Sequence, residues 1–214
     1  LHDIYNSKKT VYTAIEFCDI AGLVKGASNG EGLGNKFLGH IREVSAIIHV
    51  VRCFENDNIV HVNGKIDPIS DIETINTELL LSDMEILEKR IFKATKGLKG
   101  DKNLQAELVI LNKIYNFLGE GKSARAMELN ESEAEFVESL NLLSYKPIIY
   151  IANVSEDDAA DNIDNNFVNT VRDFAKTEGA EVVVVCAEIE QEISELEEDE
   201  KVMFLEELGI KQSG

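Results

Sequence analysis

The sequence predicts an α/β fold in which helices flank a mostly parallel sheet and an inserted α-helical hairpin interrupts it. Short apolar runs typical of buried strands occur at residues 11–18, 46–51, 147–153 and 181–186. Between the second and third runs, residues 70–145 show helical periodicity. Strand and helix patterns on both sides of a helical block indicate one interrupted α/β domain. We therefore assign residues 1–69 and 146–214 to the sheet domain and residues 70–145 to the insertion.

Composition limits the classes of function. The chain has 214 residues, of which 44% are hydrophobic, so it can bury a substantial core. A formal net charge of -19 argues against bulk attraction to nucleic acid or to an anionic membrane, and leaves only a local contact. Because no apolar run could span a bilayer and no signal-peptide pattern is present, we expect a soluble, cytoplasmic protein without a membrane partner. Three widely spaced cysteines, Cys18, Cys53 and Cys186, predict reduced core thiols rather than disulfides or a zinc site.

The first predicted strand leads directly into an acidic residue and a glycine-rich loop. Asp19 and Gly22 form an Asp-x-x-Gly sequence at the end of that strand. A carboxylate there can hold Mg²⁺ through a water, and glycine has no Cβ to keep its N–H from a phosphate oxygen. The same tetrapeptide is also ordinary turn chemistry. The loop ends near Asn35, where residues 35–44 predict an amphipathic helix.

The run at residues 46–51 predicts a central, parallel strand, because both of its faces are apolar. His49 lies in its middle, and we expect a core histidine whose ring is satisfied by a neighbour. Residues 52–69 predict a long loop. Ser70 to Glu73 has the pattern of a capping box, which would begin a helix.

The remaining elements follow from periodicity and turn signals. Two long helices separated by residues 97–101 predict an antiparallel hairpin with coiled-coil-like contacts. Asn130 and Glu133 mark another helix start, residues 167–176 predict a helix, and residues 188–208 predict acidic helices. In a parallel sheet the carboxyl ends of strands face the ligand crevice, so Asp19, Asn153 with Glu156, and Ala187 should converge.

A longer string carries a family resemblance. DIAGLVKGASNGEGLGNKF, followed by HVVRCFENDN, resembles the switch II region of the YchF/Obg-like ATPase family, a branch of the P-loop GTPase class. The likeness continues with few gaps to about the last residue. It implies a P-loop-NTPase-type sheet, ATP and Mg²⁺ as cofactors, hydrolysis of ATP and less readily of GTP, and association with the ribosome as a regulatory switch.

The resemblance also implies roles for individual residues. Asn153-Val154-Ser155-Glu156 stands where GTPases carry Asn-Lys-x-Asp, and the two replacements weaken the basis for choosing guanine. It implies that Asn153 contacts the adenine edge, with Val154, Glu156 and Ala187 around the base. A polar turn after a strand is the alternative. Leu23 replaces the glutamine that orients water in many GTPases, and the resemblance supplies His61 for that role, with Gly22 beside the γ-phosphate. An exposed loop histidine is the other interpretation of His61.

No Gly-x-x-x-x-Gly-Lys-Ser/Thr phosphate loop occurs in these 214 residues. In the family this loop precedes the position where the chain starts, and a small TGS domain follows the position where it ends. We therefore expect this polypeptide alone to bind nucleotide poorly, whereas the full-length protein would be an ATPase. Two imitations are set aside: Gly121-Lys122-Ser123 lies between helices, and Gly30, Gly32 and Gly34 have the wrong spacing for a dinucleotide fingerprint.

Two other functions remain open at this point: a GTP-specific, translation-factor-like GTPase, and a non-enzymatic hairpin module that binds ribosome or RNA. The second depends on the hairpin tip, where six basic residues stand against the single acid Asp101, for a local charge of 6 − 1 = +5. Such a tip could contact ribosomal RNA phosphates, and a solvated lysine-rich helix end is the alternative. The six residues are Lys89, Arg90, Lys93, Lys96, Lys99 and Lys102.

Overall fold

A computed structural model describes residues 13–20, 33–56, 58–59, 65–98, 104–161 and 164–207. The regular elements in this part of the chain are, in order, α1 (Leu33–Glu43), β1 (Ile47–Arg52), α2 (Pro68–Gly97), α3 (Leu104–Gly119), a 3₁₀ turn (Ala124–Ala126), α4 (Glu131–Ser139), a second 3₁₀ turn (Leu143–Tyr145), β2 (Ile148–Asn153), α5 (Glu156–Asp161), α6 (Asn166–Glu178), β3 (Glu181–Val185), α7 (Ala187–Glu195) and α8 (Glu198–Glu207). None of the helices in these ranges is long and apolar enough to cross a membrane.

The three strands form one parallel sheet in the order β1-β2-β3, which confirms the predicted α/β class and strand direction. The strand predicted at residues 46–51 is present as β1. It lies at an edge of the described sheet, however, and the prediction of a central strand is wrong for this part of the chain. Both faces of this strand are apolar, but only one of them is buried. Val51 is 2% exposed, whereas Val50, on the opposite face, is 60% exposed.

One face of the sheet carries the core. Val51, Tyr150 and Ala152 alternate along β1 and β2 and pack with Ile72 of α2 and Val168 of α6. These side chains are almost completely buried. Burial of a large apolar side chain contributes roughly 1.5–3 kcal/mol, so this layer is the main reason that the hairpin base and α6 stay on the sheet.

The first strand, predicted at residues 11–18, is not formed over its described residues, 13–18. Residues 13–18 have no regular secondary structure, and Ile15 and Phe17 are 78% and 75% exposed. A strand exists only where a neighbour completes its hydrogen bonds, and no described strand pairs with this segment. Cys18 is accordingly exposed, whereas Cys53 and Cys186 are buried free thiols as predicted. Burial raises the pKa of Cys53 to about 12.

The long helices α2 and α3 pair as the predicted hairpin. Arg90 contacts Glu107, and Glu88 accepts a hydrogen bond from Tyr115. This order of contacts shows that the two helices run antiparallel. At the tip, a Cβ on Gly97 would come within 2.5 Å of the Leu104 side chain, so a larger residue there would require that side chain to move. A second core binds the two helices to each other and to α4 through Leu80, Leu87, Ala94, Leu108, Leu111, Ile114, Leu118 and Val137.

Helix starts agree with the sequence in one case and correct it in another. Asn130 and Glu133 form the predicted capping box of α4, with two reciprocal hydrogen bonds of 3.0 Å. The box predicted at Ser70 to Glu73 is wrong, because α2 begins two residues earlier, at Pro68. The Asp67 carboxylate accepts from the Ser70 N–H, and a proline in the first turn is already fixed at a helical φ.

A buried carboxylate joins the hairpin to the chain that returns to the sheet. Asp83 on α2 is 0% exposed and accepts hydrogen bonds from the Leu143 N–H (2.9 Å), the Ser144 N–H (2.8 Å) and the Ser144 hydroxyl (2.7 Å). Burial raises the pKa of Asp83, while these hydrogen bonds and the nearby Arg42 act in the opposite direction. The carboxylate therefore holds the turn before β2 against the middle of α2.

Arg42, near the end of α1, completes this joint. Its Nη1 lies 3.8 Å from Asp83 and donates to the Asn141 carbonyl (3.2 Å), and its Nη2 donates to the Ser82 hydroxyl (2.8 Å). Lys146 donates to the Val44 carbonyl (2.8 Å) just beyond α1. We call this set the Asp83 joint: Arg42, Ser82, Asp83, Asn141, Ser144 and Lys146.

His49 on β1 corrects another prediction. Its Nδ1 is buried and has no hydrogen-bond partner among the described residues, so it is not the satisfied core histidine that we expected. The neighbour that it meets is the Tyr150 ring, at 5.6 Å, and the Tyr150 hydroxyl already donates to Glu178 (2.6 Å). Burial lowers the pKa of His49 to about 4, Arg125 adds to this effect, and Asp71 and Glu178 oppose it.

The His49 pKa predicts a pH dependence of stability. Between pH 6.5 and about 4 an unfolded His49 binds a proton that the folded protein excludes, so the free energy of unfolding should fall as pH falls through this window. We expect His49 to account for about 2 kcal/mol of this loss. Urea unfolding at pH 7 and pH 4.5 measures it. The variant His49→Gln, which cannot titrate, should show a smaller loss, and an equal loss would contradict the assignment.

The Asp83 joint predicts a large effect of one carboxylate. Asp83→Ala leaves buried N–H donors without their acceptor and Arg42 without its nearby carboxylate, and should lower the free energy of unfolding by about 3 kcal/mol. Asp83→Asn keeps one acceptor oxygen and should lose less. Glu85→Gln is the control, because Glu85 lies on the same helix, is exposed and pairs with Lys89 only at 3.8 Å. Similar stabilities of Asp83→Ala and Glu85→Gln would show that the joint contributes little.

Candidate functional site

A pocket of about 590 Å³ lies at the carboxyl ends of the three strands. Its walls come from residues 54–56 and 59 after β1, residues 153–157 at and after the end of β2, and residues 187, 188 and 191 after β3. The carboxyl edge of a parallel sheet is where α/β proteins bind ligands, because strand ends and helix starts converge there. The pocket is thus built from loops and helix starts that the sheet positions.

Asn153 connects the three strand ends. Its Oδ1 accepts a hydrogen bond from the Ala187 N–H (2.9 Å), at the start of α7. Its backbone carbonyl accepts from the Cys53 N–H (2.8 Å), and the next residue, Val154, donates to the Val185 carbonyl (2.9 Å). Since the side-chain oxygen faces Ala187, the Nδ2 donor is left for another acceptor, and no described residue accepts from it.

Val154 and Ala187 also line the pocket but offer different surfaces. Val154 is 4% exposed and belongs to the core, so only a small part of it is available to a ligand. Ala187 is exposed at the first position of α7, and Glu188 follows it. Backbone N–H groups in a first helical turn lack intrahelical acceptors, and Asn153 uses the one at Ala187.

The rim beside Asn153 is acidic. Glu156 begins α5, and its pKa is raised above the ordinary value mainly by the charge of Glu188, with burial, Glu192 and Asp157 adding to the effect. Glu156 and Glu188 are exposed, so solvent screens their repulsion. Ionised carboxylates only accept hydrogen bonds, and this rim can therefore bind amino groups or cations.

The opposite wall depends on residues that the sequence did not single out. Arg52, at the end of β1, donates to the carbonyls of Phe54 (3.1 Å), Ile59 (3.0 Å) and Asn56 (3.2 Å). Its guanidinium also lies 4.9 Å from the centre of the Phe54 ring. Phe54 is half-buried and presents an aromatic surface to the pocket. The available signal was an arginine directly after an apolar strand, two residues before an aromatic side chain.

A second polar network joins the segments that follow β1 and β2. Asn165, the N-cap of α6, donates to the Cys53 carbonyl (2.8 Å) and to Asp158 (2.9 Å), and its own oxygen accepts from the Val168 N–H (2.9 Å). Ser155 donates to the same Asp158 carboxylate (3.0 Å). The chain after β1 and the chain after β2 are therefore held together where both enter the pocket wall.

The predicted convergence of three strand ends is met for two of them. Asn153, Glu156 and Ala187 are close together. Asp19 lies in the exposed segment at residues 13–20, and no described hydrogen bond or ion pair links it to Asn153 or Ala187. Gly22 and His61 lie outside the described residues, so their predicted positions stay predictions.

A metal site of protein ligands alone is not formed within the described ranges, which contain no group of three or more His, Cys, Asp or Glu side chains able to hold an ion. Magnesium needs fewer protein ligands, because it keeps several waters and binds one or two carboxylates together with substrate phosphates. Asp19 offers one exposed carboxylate, and its role as a magnesium ligand stays a prediction.

Comparisons with known proteins agree with this architecture. Residues 3–90 match a family model described as 50S ribosome-binding GTPase. The chain is 58% identical over 215 residues to a Bacillus subtilis (strain 168) protein named ribosome-binding ATPase YchF, covering 100% of this chain and 59% of that protein. It is 49% identical over 216 residues to the Escherichia coli O157:H7 protein of the same name, covering 100% of this chain and 58% of that protein.

The fold is also shared with a solved structure. The structure of the Schizosaccharomyces pombe YchF GTPase matches with a TM-score of 0.83 and 34% sequence identity, over 99% of this chain and 58% of that chain. The chain thus spans somewhat less than two thirds of the length of these relatives. Because sequence identity extends along the whole chain and the fold is the same, the chain belongs to the YchF family, a branch of the P-loop GTPase class.

Proposed function

We propose that this chain forms the base-recognition side of a nucleotide site in a protein that hydrolyses ATP, and GTP less readily, as a ribosome-associated switch. The observation that carries the proposal is Asn153, whose side-chain oxygen is held by the Ala187 N–H at the carboxyl edge of the sheet. Relatives named ribosome-binding ATPase support it.

The chemistry of the pocket favours adenine. Adenine presents an N7 acceptor and a 6-amino donor on one edge, whereas guanine presents two acceptors, N7 and O6. The Nδ2 of Asn153 would donate to N7. Carboxylates on the rim, Glu156 and Glu188, would accept from the 6-amino group and repel the O6 of guanine. Phe54 would cover one face of the base, because aromatic rings stack on any base.

The phosphate end of the site would use residues from the other part of the sheet domain. Asp19 would hold Mg²⁺ through a water, and the ion would neutralise charge on the phosphates. The Gly22 N–H would approach the γ-phosphate, and His61 would orient the attacking water. Binding of the phosphates also needs a phosphate loop, so we expect millimolar ATP to leave the melting temperature of this polypeptide alone unchanged.

Base selection can be tested in the natural full-length protein. Replacing both rim carboxylates, as Glu156→Gln with Glu188→Gln, removes their repulsion of guanine O6. We expect the preference for ATP over GTP, measured as the ratio of the two Kd values by calorimetry, to fall about tenfold. The ratio is the readout, because less negative charge should also strengthen binding of both triphosphates.

The matched control for this test is Glu195→Gln, at the far end of α7 and outside the pocket. It should leave the ratio unchanged. Asn153→Ala should weaken ATP binding, since it removes the N7 donor and frees the start of α7. An ATP preference that survives the double replacement would rule out the acidic rim as its source, and unaltered ATP binding by Asn153→Ala would remove the base site itself.

A second function, contact with ribosomal RNA through the hairpin, has its own support. The structure reduces the number of free cations at the tip, because Arg90 pairs with Glu107 at 2.6 Å. Lys89 lies 3.8 Å from Glu85 in an exposed pair, which is weak and leaves the ammonium accessible. Lys93 and Lys96 make no ion pair with any described residue. Lys99 and Lys102 lie outside the described residues. The local charge available to RNA is therefore smaller than the count from sequence.

Charge reversal tests this contact. Lys89→Glu, Lys93→Glu and Lys96→Glu together should lower co-sedimentation of the full-length protein with ribosomes, because phosphate contacts are replaced by repulsion. The control reverses three exposed lysines elsewhere, Lys65, Lys122 and Lys176, and so changes the net charge by the same amount. If both triple variants sediment alike, the hairpin tip is not the contact surface.

A further inference from the structure

The outer face of α2 carries an exposed aromatic ring. Phe92 is 62% exposed, although its neighbour Ile91 packs against the hairpin core. A polar side chain at this position would cost the core little, so packing does not explain why an aromatic residue stands here. Isolated exposed apolar residues are common, and Val109 on α3 is one of them at 61%. Phe92 differs from Val109 in what surrounds it.

Phe92 lies within a row of lysines. Lys89 and Lys96 are three residues before it and four residues after it, positions that share one face of a helix. The Lys96 ammonium lies 4.0 Å from the centre of the ring, and its positive charge is attracted to the negative ring face. Phe92 is therefore in contact with a cation while most of its side chain remains exposed.

The cations beside the ring are available to a ligand. Lys93 has no ion pair among the described residues. Lys89 contacts Glu85 at 3.8 Å, with side chains 79% and 57% exposed, and such surface pairs are weak. The chain as a whole has a net charge of -19, so a polyanion is repelled at long range and binds only where direct contacts overcome that repulsion.

A flat, exposed ring with a lysine ammonium against it matches an unpaired nucleotide better than other anions. An unpaired base has a face that stacks on an aromatic side chain, and the phosphates on either side of it can reach lysines. Duplex RNA keeps its bases stacked on each other, so it would use the lysines but not the ring. An acidic peptide would likewise leave the ring unused.

We propose that Phe92 stacks on an unpaired base of single-stranded RNA while Lys89, Lys93 and Lys96 contact the adjacent phosphates. This inference rests on the proposed ribosomal RNA contact and specifies the kind of RNA structure that the hairpin recognises. A loop or bulge would fit this surface, and a continuous helix would not.

Fluorescence anisotropy with this chain tests the proposal. The probes are a labelled, unstructured oligoribonucleotide of about 12 nucleotides and a duplex of the same length. Single-stranded RNA should bind more tightly than duplex. Phe92→Ala should weaken single-strand binding about tenfold without changing its salt dependence, because stacking is lost and the phosphate contacts remain. Phe92→Tyr should restore binding, and Val109→Ala, equally exposed on the other helix, should behave like the unaltered chain.

Lys93→Gln provides an independent readout, since loss of one phosphate contact should reduce the slope of log affinity against log salt by about 1. Equal binding of single-stranded RNA by Phe92→Ala and the unaltered chain would overturn the proposal. So would equal binding of duplex, or displacement of the RNA by a polyglutamate peptide at comparable concentration, which would indicate an acidic protein partner. If Phe92→Ala weakens binding of single-stranded RNA but leaves co-sedimentation of the full-length protein with ribosomes unchanged, only the ribosomal role of the contact is contradicted.

Discussion

A buried carboxylate is stable only where hydrogen-bond donors surround it. In this protein the donors around Asp83 come from distant segments, and the carboxylate fixes those segments relative to one another. Its hydrogen-bond donors, at Leu143 and Ser144, come from a segment sixty residues further along the chain. Arg42 brings α1 to the same point. The hairpin can therefore not tilt, and α1 cannot shift, without exposing a charge or leaving buried N–H groups without an acceptor. The turn that Asp83 holds leads directly into β2, so the same carboxylate sets where the middle strand begins.

The position of β2 then determines the candidate site. In parallel register Asn153 pairs with Arg52 on one side and Val185 on the other, so its side chain reaches the start of α7. The acidic rim and the aromatic wall stand on opposite sides of this asparagine. Side chains from three strand ends can act on one ligand because the sheet beneath them is rigid, which is the general advantage of building sites at this edge. The charge on the rim favours an amino group over a carbonyl, and this is the physical basis of the proposed preference for adenine.

Charge counted along the sequence differs from charge available on the surface. At the hairpin tip, Arg90 is paired across the hairpin, and Glu107 belongs to a helix that begins beyond the counted segment. What remains is a smaller set of lysines near an exposed ring. The ring adds a flat surface for stacking, which charge alone does not provide. On an acidic body, the short-range contacts of a ligand matter more than attraction at a distance.

The sequence by itself determined what depends on neighbours along the chain: the α/β class, the helices of the hairpin, the capping box at Asn130 and the family motif around Asp19 and Asn153. Only the tertiary structure decided that residues 13–18 form no strand, that α2 begins under the cap of Asp67, and that the His49 ring meets a tyrosine whose hydroxyl is already engaged. Likewise nothing local distinguishes Asp83 from a solvated acid on an amphipathic helix, or reveals that Arg52 and Phe54 shape the pocket. The reason is physical: periodicity and capping act within a few residues, whereas strand pairing, burial of charge and the partners of polar groups depend on residues that folding brings together from distant parts of the chain.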